Sequence, residues 1–273
     1  MKKTFLKIRV FAVLIIAITA FSSCKKENGN SAGNNGNSIG NKGVKLLPSE
    51  ITYDTNYWGI KSTTVYKYFY DDKNRLQAIE KVNTTNMNGI VVLRSERSEF
   101  IYDAQGKLIK RNGYDEHDSF LSGSCSYSYS GDTVTIIVSS PGGSHSKDVI
   151  IVNKKGQMEK YGSHYYFYDE KGNLIKESYS SGYSNYSYDD KNGVYSAINL
   201  PSWYFVYNDK IRHEMMMMGF VNNCISEKTY QAASTHEYSY EYYEYEHNYP
   251  TKIITTSDSE ETTIITIKYI QAK

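Results

Sequence analysis

Residues 166–174 read YFYDEKGNL, and the same pattern recurs as YFYDDKNRL at 68–76 and FIYDAQGKL at 100–108. Each copy has two aromatic residues two positions apart, then an aspartate, a glycine or asparagine three residues later, and a leucine two beyond that. Side chains two apart on a β-strand share a face, and an aspartate followed by glycine or asparagine favours a tight turn. The repeat therefore predicts consecutive antiparallel hairpins with the aspartates at their turns.

Most of the remaining chain also has the composition of β-strands. Residues 133–138 and 262–270 are β-branched runs, and only four prolines occur in 273 residues. Further copies of the repeat, less regular, stand at 127–132 and 186–193. The chain is therefore predicted to be all-β: an antiparallel meander of tyrosine-rich hairpins forming a large twisted sheet, either open or barrel-like.

Tyrosine supplies much of the area that this sheet can bury. The chain has 28 tyrosines, whereas aliphatic residues are few for its length. Their rings can pack across strands while the hydroxyls reach water or a carbonyl oxygen. The tyrosines change parity after Tyr242, and this predicts a β-bulge near Tyr242–Tyr243.

Residues 199–220 interrupt the alternation. Pro201 precedes an aromatic cluster at 203–207, and four consecutive methionines follow at 215–218. This pattern predicts an irregular excursion with one short helix within 209–220. Trp203, Phe205 and the methionines are then expected to cover a sheet face or one end of a barrel.

The first 23 residues have the pattern of a secretion signal. A basic start precedes an apolar stretch at 10–21, which is shorter than the roughly twenty residues that span a bilayer. The segment ends in FSSC at 21–24 and resembles a bacterial lipobox, with Phe21 where leucine is usual. The resemblance implies cleavage before Cys24 and attachment of lipid to that residue.

Residues 24–45 are predicted to be a flexible tether. They are rich in asparagine, glycine, serine and lysine, and such a segment buries too little apolar area to offset the entropy of ordering it. The predicted organisation is a signal peptide at 1–23, a lipidated tether at 24–45 and one all-β domain at 46–273. The lipid on Cys24 would anchor the domain to the outer membrane, on either the periplasmic or the cell-surface face.

Charge argues against nucleic acid as a partner. Without the four basic residues of the signal segment, 27 basic residues stand against 30 acidic ones, a net charge near −3. No basic patch is evident, and nucleic-acid binding needs one. Cys125 and Cys224 remain after Cys24; they either pair in an oxidising envelope or stay as small buried residues.

The lipobox, the tether, the Tyr-Asp turns and the closing stretch 243–253 together resemble a family of uncharacterised bacterial lipoproteins described as having a porin-like β fold and common in the Bacteroidetes. The resemblance covers residues 46–273, and Pro250–Ile253 is its most specific part. The Tyr-Asp copies alone also resemble the YD (RHS-like) repeats of large secreted shell-forming toxins and cell-wall-associated proteins. The family implies a β fold and an envelope location, and it implies no activity and no catalytic residues.

The residues themselves indicate no catalytic or metal site. The aspartates at 71, 103, 169 and 189 occupy the same turn position, and the six histidines show no paired ligand spacing. No cofactor is expected. Charged and polar residues on both strand faces also argue against a transmembrane barrel, which needs an apolar outer band.

Three functions remain open. The first is a non-enzymatic envelope protein that binds or presents a glycan or a partner protein, with Trp58, Trp203 and Tyr204 as candidates for stacking on sugar rings. The alternative is a scaffold or accessory subunit of an outer-membrane assembly that pairs through a free sheet edge. A hydrolase with an unrecognised site is a third possibility, and it would require a concave cluster of acids outside the turns.

Overall fold

The computed structural model describes residues 43–57, 60–87, 89–115, 120–207, 219–231, 234–256 and 262–273. Within these ranges it contains sixteen β-strands and one short α-helix. The strands are β1 (Leu46–Tyr57), β2 (Ile60–Tyr70), β3 (Leu76–Met87), β4 (Ile90–Tyr102), β5 (Leu108–Asp115), β6 (Phe120–Ser130), β7 (Thr133–Ser139), β8 (His145–Val152), β9 (Met158–Tyr161), β10 (His164–Tyr168), β11 (Leu174–Tyr179), β12 (Gly182–Asn192), β13 (Asn222–Gln231), β14 (Ser234–Glu246), β15 (Tyr249–Thr256) and β16 (Thr262–Gln271). The helix α1 spans Ser202–Tyr207.

The strands form a closed antiparallel barrel. Each strand pairs with its neighbours along the chain, and β1 pairs with β16 from Leu46 opposite Gln271 to Asn56 opposite Thr262. The predicted meander is confirmed, and closure selects the barrel over the open sheet. It also corrects the edge-pairing alternative, because every described strand already has a hydrogen-bonded neighbour on both sides and a closed barrel offers no edge.

The repeat forms the predicted turn. At Asp169, Oδ1 accepts hydrogen bonds from the amides of Gly172 (2.7 Å) and Asn173 (2.8 Å), and Gly172 has φ +104°. Asp71 and Asp103 accept in the same way, and Asn153 does so between β8 and β9. The short aspartate or asparagine side chain thus adds an acceptor at each tight reversal, where the carbonyl of the same residue also accepts from the amide three positions later.

One predicted hairpin is wrong. Residues 186–193 were expected to reverse directly, but β12 continues to Asn192 and the chain then enters the barrel interior. The Asp189 carboxylate accepts instead from the amides of Lys191 (3.0 Å) and Asn223 (3.1 Å). It therefore ties β12 to β13 and does not close a two-strand turn.

A ring of seven tyrosines, here called the tyrosine collar, encircles the barrel at the end that carries these turns. Each stands on an even-numbered strand and donates its hydroxyl hydrogen bond to a carbonyl on the preceding strand. The pairs are Tyr70 with Pro48 (2.8 Å), Tyr102 with Leu76 (2.8 Å), Tyr129 with Leu108 (2.7 Å), Tyr168 with Met158 (2.9 Å), Tyr188 with Leu174 (2.8 Å), Tyr242 with Cys224 (2.5 Å) and Tyr269 with Pro250 (2.7 Å). The aspartate of the repeat makes the turn, and its tyrosine joins the strands beside it.

Helix α1 and the residues before it fill this end of the barrel. Trp203, Tyr204 and Phe205 are at most 3% exposed. The Trp203 ring packs edge-on to Tyr127 with centroids 5.3 Å apart, and Tyr204 packs the same way on Phe100 at 5.7 Å. The prediction that Trp203 and Phe205 cover one end of a barrel is confirmed. The helix predicted within 209–220 falls almost entirely on residues 208–218, which include the methionines and lie outside the described ranges; α1 precedes that segment.

Two further expectations concern the register of β14 and the pairing of the two cysteines. The bulge predicted near Tyr242–Tyr243 is wrong, because Tyr240 through Tyr243 pair one to one with Thr255 through Lys252. Tyrosines occur on both faces of β14, and the local irregularity is at Glu244, with φ +56°. Cys125 and Cys224 are both free thiols.

Candidate functional site

The inner face of the barrel changes character along its length. At the end with the Asp turns, called the turn end, it is lined by fully buried aliphatic residues such as Leu76, Leu108 and Leu174. Toward the opposite end, called the loop end, the inner face is lined by hydroxyl and amide side chains. Asn83 Nδ2 donates to Thr64 Oγ1 (2.7 Å) and to Ser62 Oγ (3.1 Å). The loop-end half of the lumen is therefore polar.

A cavity of about 620 Å³ lies in this polar half, bounded by β2 to β7. Its lining is mixed: two tyrosines, several serines, two facing glycines, the thiol of Cys125 and charges of both signs. The lining residues used below are Tyr66, Lys81, Glu96, Ser98, Arg111, Gly113, Asp115, Ser122, Gly123 and Cys125. A concave site of this size with a few polar groups is typical of small-ligand binding.

Strand register places the charges of the cavity. Lys81 faces Glu96 across β3 and β4, and Glu96 faces Asp115 across β4 and β5. Arg111 faces Phe100 on one side and Cys125 on the other. Since Arg111 and Asp115 are four residues apart on one strand, their Cα atoms are separated by about 13 Å. The acids therefore lie nearer the loop end and Arg111 nearer the helix.

Arg111 is the most constrained of these charges. Its Nη1 donates to the Tyr204 hydroxyl at 3.4 Å, and its buried Nε has no hydrogen-bond partner. The pKa of Arg111 is raised, first by Tyr204 and against the opposing effect of burial. The guanidinium is therefore a permanent charge without a carboxylate partner among the described residues.

A second polar cluster lies on the other side of the lumen. Glu177 is 2% exposed; its Oε1 lies 2.8 Å from His164 Nδ1, and its Oε2 accepts from the Tyr186 hydroxyl at 3.4 Å. The histidine ring also stands against Tyr179, with centroids 5.4 Å apart. This carboxylate is satisfied by its neighbours, so a structural role explains it.

The outer face carries its own aromatic strip. Tyr165 and Phe167 are 47% and 48% exposed, and Tyr183 stacks on Tyr230 with centroids 4.6 Å apart. Lys176 Nζ lies 4.9 Å from the Tyr183 ring centroid. These rings are accessible, but the surface around them is not enclosed.

The proposed stacking residues are not brought together as a binding surface. Trp203 and Tyr204 are 2% and 0% exposed and belong to the packed interior, so their ring faces are covered in this structure. Trp58 and the proposed lipidation site, Cys24, lie outside the described residues. Trp203 and Tyr204 instead pack in the interior next to Arg111, on the side toward helix α1.

Lys81, Glu96, Arg111 and Asp115 were missed by reading the sequence. A signal for them exists, because they share parity with core residues on their own strands: Ile79 with Lys81, and Phe100 with Glu96. A charged residue two or four positions from a core residue points into the same lumen. Within the described ranges, no group of three or more histidine, cysteine, aspartate or glutamate side chains is arranged to hold a metal ion.

No described helix is both long and apolar enough to cross a membrane. No protein-family model matches the chain, and no curated protein matches it. Solved structures do. A porin-like protein from Bacteroides uniformis ATCC 8492 matches with a TM-score of 0.49 and 11% identity, over 82% of this chain and 96% of that one. A porin-like protein from Bacteroides vulgatus ATCC 8482 matches with a TM-score of 0.37 and 13% identity, over 83% and 99%. These likenesses concern the backbone fold alone.

Proposed function

We propose that this chain is a non-enzymatic, lipid-anchored protein of the bacterial outer membrane whose barrel binds a glycan in the polar half of its lumen. The observation that supports this is the cavity of about 620 Å³ between β2 and β7. Its serines and charged groups offer donors and acceptors for sugar hydroxyls, and the Tyr66 ring offers an apolar surface. The anchor on Cys24 is part of the proposal.

The outer face supports a barrel surrounded by water. Ion pairs stand on the strand positions that alternate with the inner face: Arg97 lies 2.5 Å from Glu80 and 3.3 Å from Glu99. Lys268 lies 2.7 Å from Glu50 in the same way. A lipid-facing barrel would present an apolar band at these positions. These ion pairs support the proposal that the barrel stands beside the membrane and is held by the anchor on Cys24.

A pair of serine variants tests the site. Ser98 lines the cavity, whereas Ser95 lies on the same strand with the opposite parity, opposite Val82. The full-length chain is screened against a glycan array, and hits are measured by titration calorimetry. We expect Ser98→Tyr to fill the lumen and weaken binding at least about tenfold, while Ser95→Tyr leaves it unchanged.

Several outcomes would count against the proposal. Binding by no glycan would overturn the function. Equal binding by Ser98→Tyr and wild type would move the site out of the lumen, and loss in Phe167→Ala would then place it on the outer aromatic strip. Mass spectrometry of the recovered oligosaccharide identifies cleavage, which would favour a hydrolase using Glu96 and Asp115, two acids outside the turns.

The second candidate function is a scaffold subunit that uses a face and not an edge. The β3–β4 hairpin favours it, because Val91 and Leu93, which share the outer face of β4, are 62% and 63% exposed. Exposed apolar patches often mark protein contacts. A stoichiometric membrane protein that co-purifies with the anchored wild type, and is lost in Leu93→Lys, would favour the scaffold over the glycan-binding protein.

A further inference from the structure

Arg111 lies at the inner end of the cavity, and no carboxylate of the described residues forms an ion pair with it. Its guanidinium cannot be deprotonated in a protein, and it donates a hydrogen bond to the Tyr204 hydroxyl at 3.4 Å. A half-buried charge without an ionic partner costs free energy. The chain keeps this cation between Phe100 and Cys125, where an apolar side chain would pack at no such cost.

Lys81 is a second cation in the same cavity. Its Nζ lies 5.5 Å from the centroid of the Tyr66 ring, and its register partner is Glu96. No ion pair within 4.0 Å joins Lys81 to an acid in the described part of the chain. Two cations therefore line one cavity, each held by a ring or a phenol.

Beside Arg111, the inner face of β5 and β6 carries glycines and therefore exposes backbone without side chains. Gly113 faces Gly123 across β5 and β6, and Ser122 is left out of the register as a bulge. A Cβ on Gly113 would stand 3.0 Å from Ser122 Oγ. The paired glycines leave room next to the guanidinium, and bulges commonly occur beside binding sites.

The acids lie beside Lys81 and at a distance from Arg111. Glu96 and Asp115 face each other as register partners, and like charges in that position repel. Carboxylates can accept hydrogen bonds from pairs of hydroxyl groups. The two acids and Lys81 therefore lie at one level toward the loop end, and Arg111 lies about 13 Å further along the strand, toward the helix.

We propose that the lumen binds an anionic saccharide, whose carboxylate or sulfate groups dock one on Arg111 and another on Lys81 and whose hydroxyls donate to Glu96 and Asp115. This inference rests on the proposed glycan-binding function and names the class of glycan. Arginine binds carboxylate and sulfate with two parallel N–H donors, a geometry that lysine alone does not provide.

Calorimetry on the full-length chain tests the proposal with three ligand sets: uronic-acid oligosaccharides, sulfated oligosaccharides and neutral oligosaccharides of matched length. The variants are Arg111→Gln, Arg111→Lys, Lys81→Gln and the control Lys110→Gln. Lys110 is the neighbour of Arg111 on β5 and has the opposite parity, opposite Ile101. Thermal unfolding checks that each variant folds.

We expect Arg111→Gln to weaken binding of an anionic set about tenfold to a hundredfold, with a smaller loss for Arg111→Lys. Lys110→Gln should bind as wild type does. Comparing the uronic and sulfated sets identifies which anion the site prefers. If Arg111→Gln does not fold, Lys81→Gln reads the same site, and we expect it to lose anionic binding while keeping neutral binding.

The inference and the proposed function fail differently. Equal wild-type affinity for neutral and anionic sets, or no effect of the Arg111 and Lys81 substitutions, overturns the anionic assignment and leaves glycan binding standing. Absence of binding to all three sets overturns both. Anionic binding that is lost equally in Lys110→Gln would reflect overall charge and would also overturn the site.

Discussion

At the residue scale, the tyrosine of the repeat has two roles, one carried by its ring and the other by its hydroxyl. The ring fills the turn end of the barrel, and the hydroxyl hydrogen satisfies a carbonyl on the preceding strand. Tyr102 illustrates both, since it donates to Leu76 at 2.8 Å and carries the Arg75 guanidinium 4.7 Å from its ring centroid. Phenylalanine would keep the ring and lose the hydrogen bond.

Tyr102→Phe is therefore expected to lower the free energy of unfolding by about 1 kcal/mol, the usual net value of one hydrogen bond. Urea denaturation monitored by circular dichroism measures the change. Tyr165→Phe is the matched control, because Tyr165 is 47% exposed on the outer face. An equal loss in both variants would show that the collar hydroxyls contribute nothing particular.

The turn aspartate makes a prediction of its own. Asp103 Oδ1 accepts the Lys107 amide at 2.8 Å, and Asn153 accepts the Gln157 amide at 3.0 Å in the corresponding turn. Since asparagine already serves in one copy, Asp103→Asn should be nearly neutral, whereas Asp103→Ala should cost about 1 kcal/mol. Thermal or urea unfolding of the two variants decides it; similar losses in both would mean that charge matters and the turn acceptor does not.

At the element scale, the strands and turns could be predicted because their signal is local. Alternation and the Asp–Gly spacing lie within nine residues, and the structure follows them at Asp71, Asp103 and Asp169. Barrel closure has no such signal, because β1 and β16 pair residues more than two hundred positions apart, as Leu47 with Ile270. The parity of Tyr243 was misread as a bulge because tyrosine suits either face of a sheet.

Helix α1 shows why the candidate site was misplaced. Aromatic composition alone does not say whether a ring faces solvent, and Trp203 and Tyr204 turn inward once the barrel closes around them. The charged residues of the cavity, by contrast, could have been located by counting two or four positions from Ile79 or Phe100. Alternation along a strand predicts which face of the sheet a side chain points to. It gives no such prediction for residues of helix α1, which are not on a strand.

Trp203→Ala should therefore be a stability variant. Its side chain is 2% exposed and packs on Tyr127 and Tyr204. Truncating such a residue typically lowers the free energy of unfolding by about 4 kcal/mol. Thermal unfolding is the measurement, with Phe167→Ala, 48% exposed on the outer face, as control. A variant with wild-type stability and lost glycan binding would restore Trp203 as a ligand-stacking residue.

At the scale of the whole molecule, the tyrosine collar makes the stability of the barrel depend on pH in the alkaline range. Burial raises the pKa of its members, for Tyr129 to about 12, and the pKa values of Tyr102, Tyr168 and Tyr269 are raised for the same first reason. An unfolded tyrosine ionises near pH 10. Above that pH the unfolded chain releases protons that the folded barrel retains.

The sign follows from linkage: a group whose pKa is raised on folding stabilises fully below its unfolded pKa, and that stability is lost as pH rises toward the folded pKa. We expect the free energy of unfolding to be flat with respect to these groups below about pH 10 and to fall above it, by at most about 1.4 kcal/mol per pH unit for each retained proton. Collar tyrosines should then ionise together when the barrel opens. The tyrosinate absorbance that appears after the exposed tyrosines have ionised should therefore rise in the same step as the loss of circular dichroism in one alkaline titration. Tyr102→Phe should reduce the slope of the free energy of unfolding against pH. Tyrosinate formation by the collar well before any loss of strand structure would mean that the phenols are not held by the closed barrel.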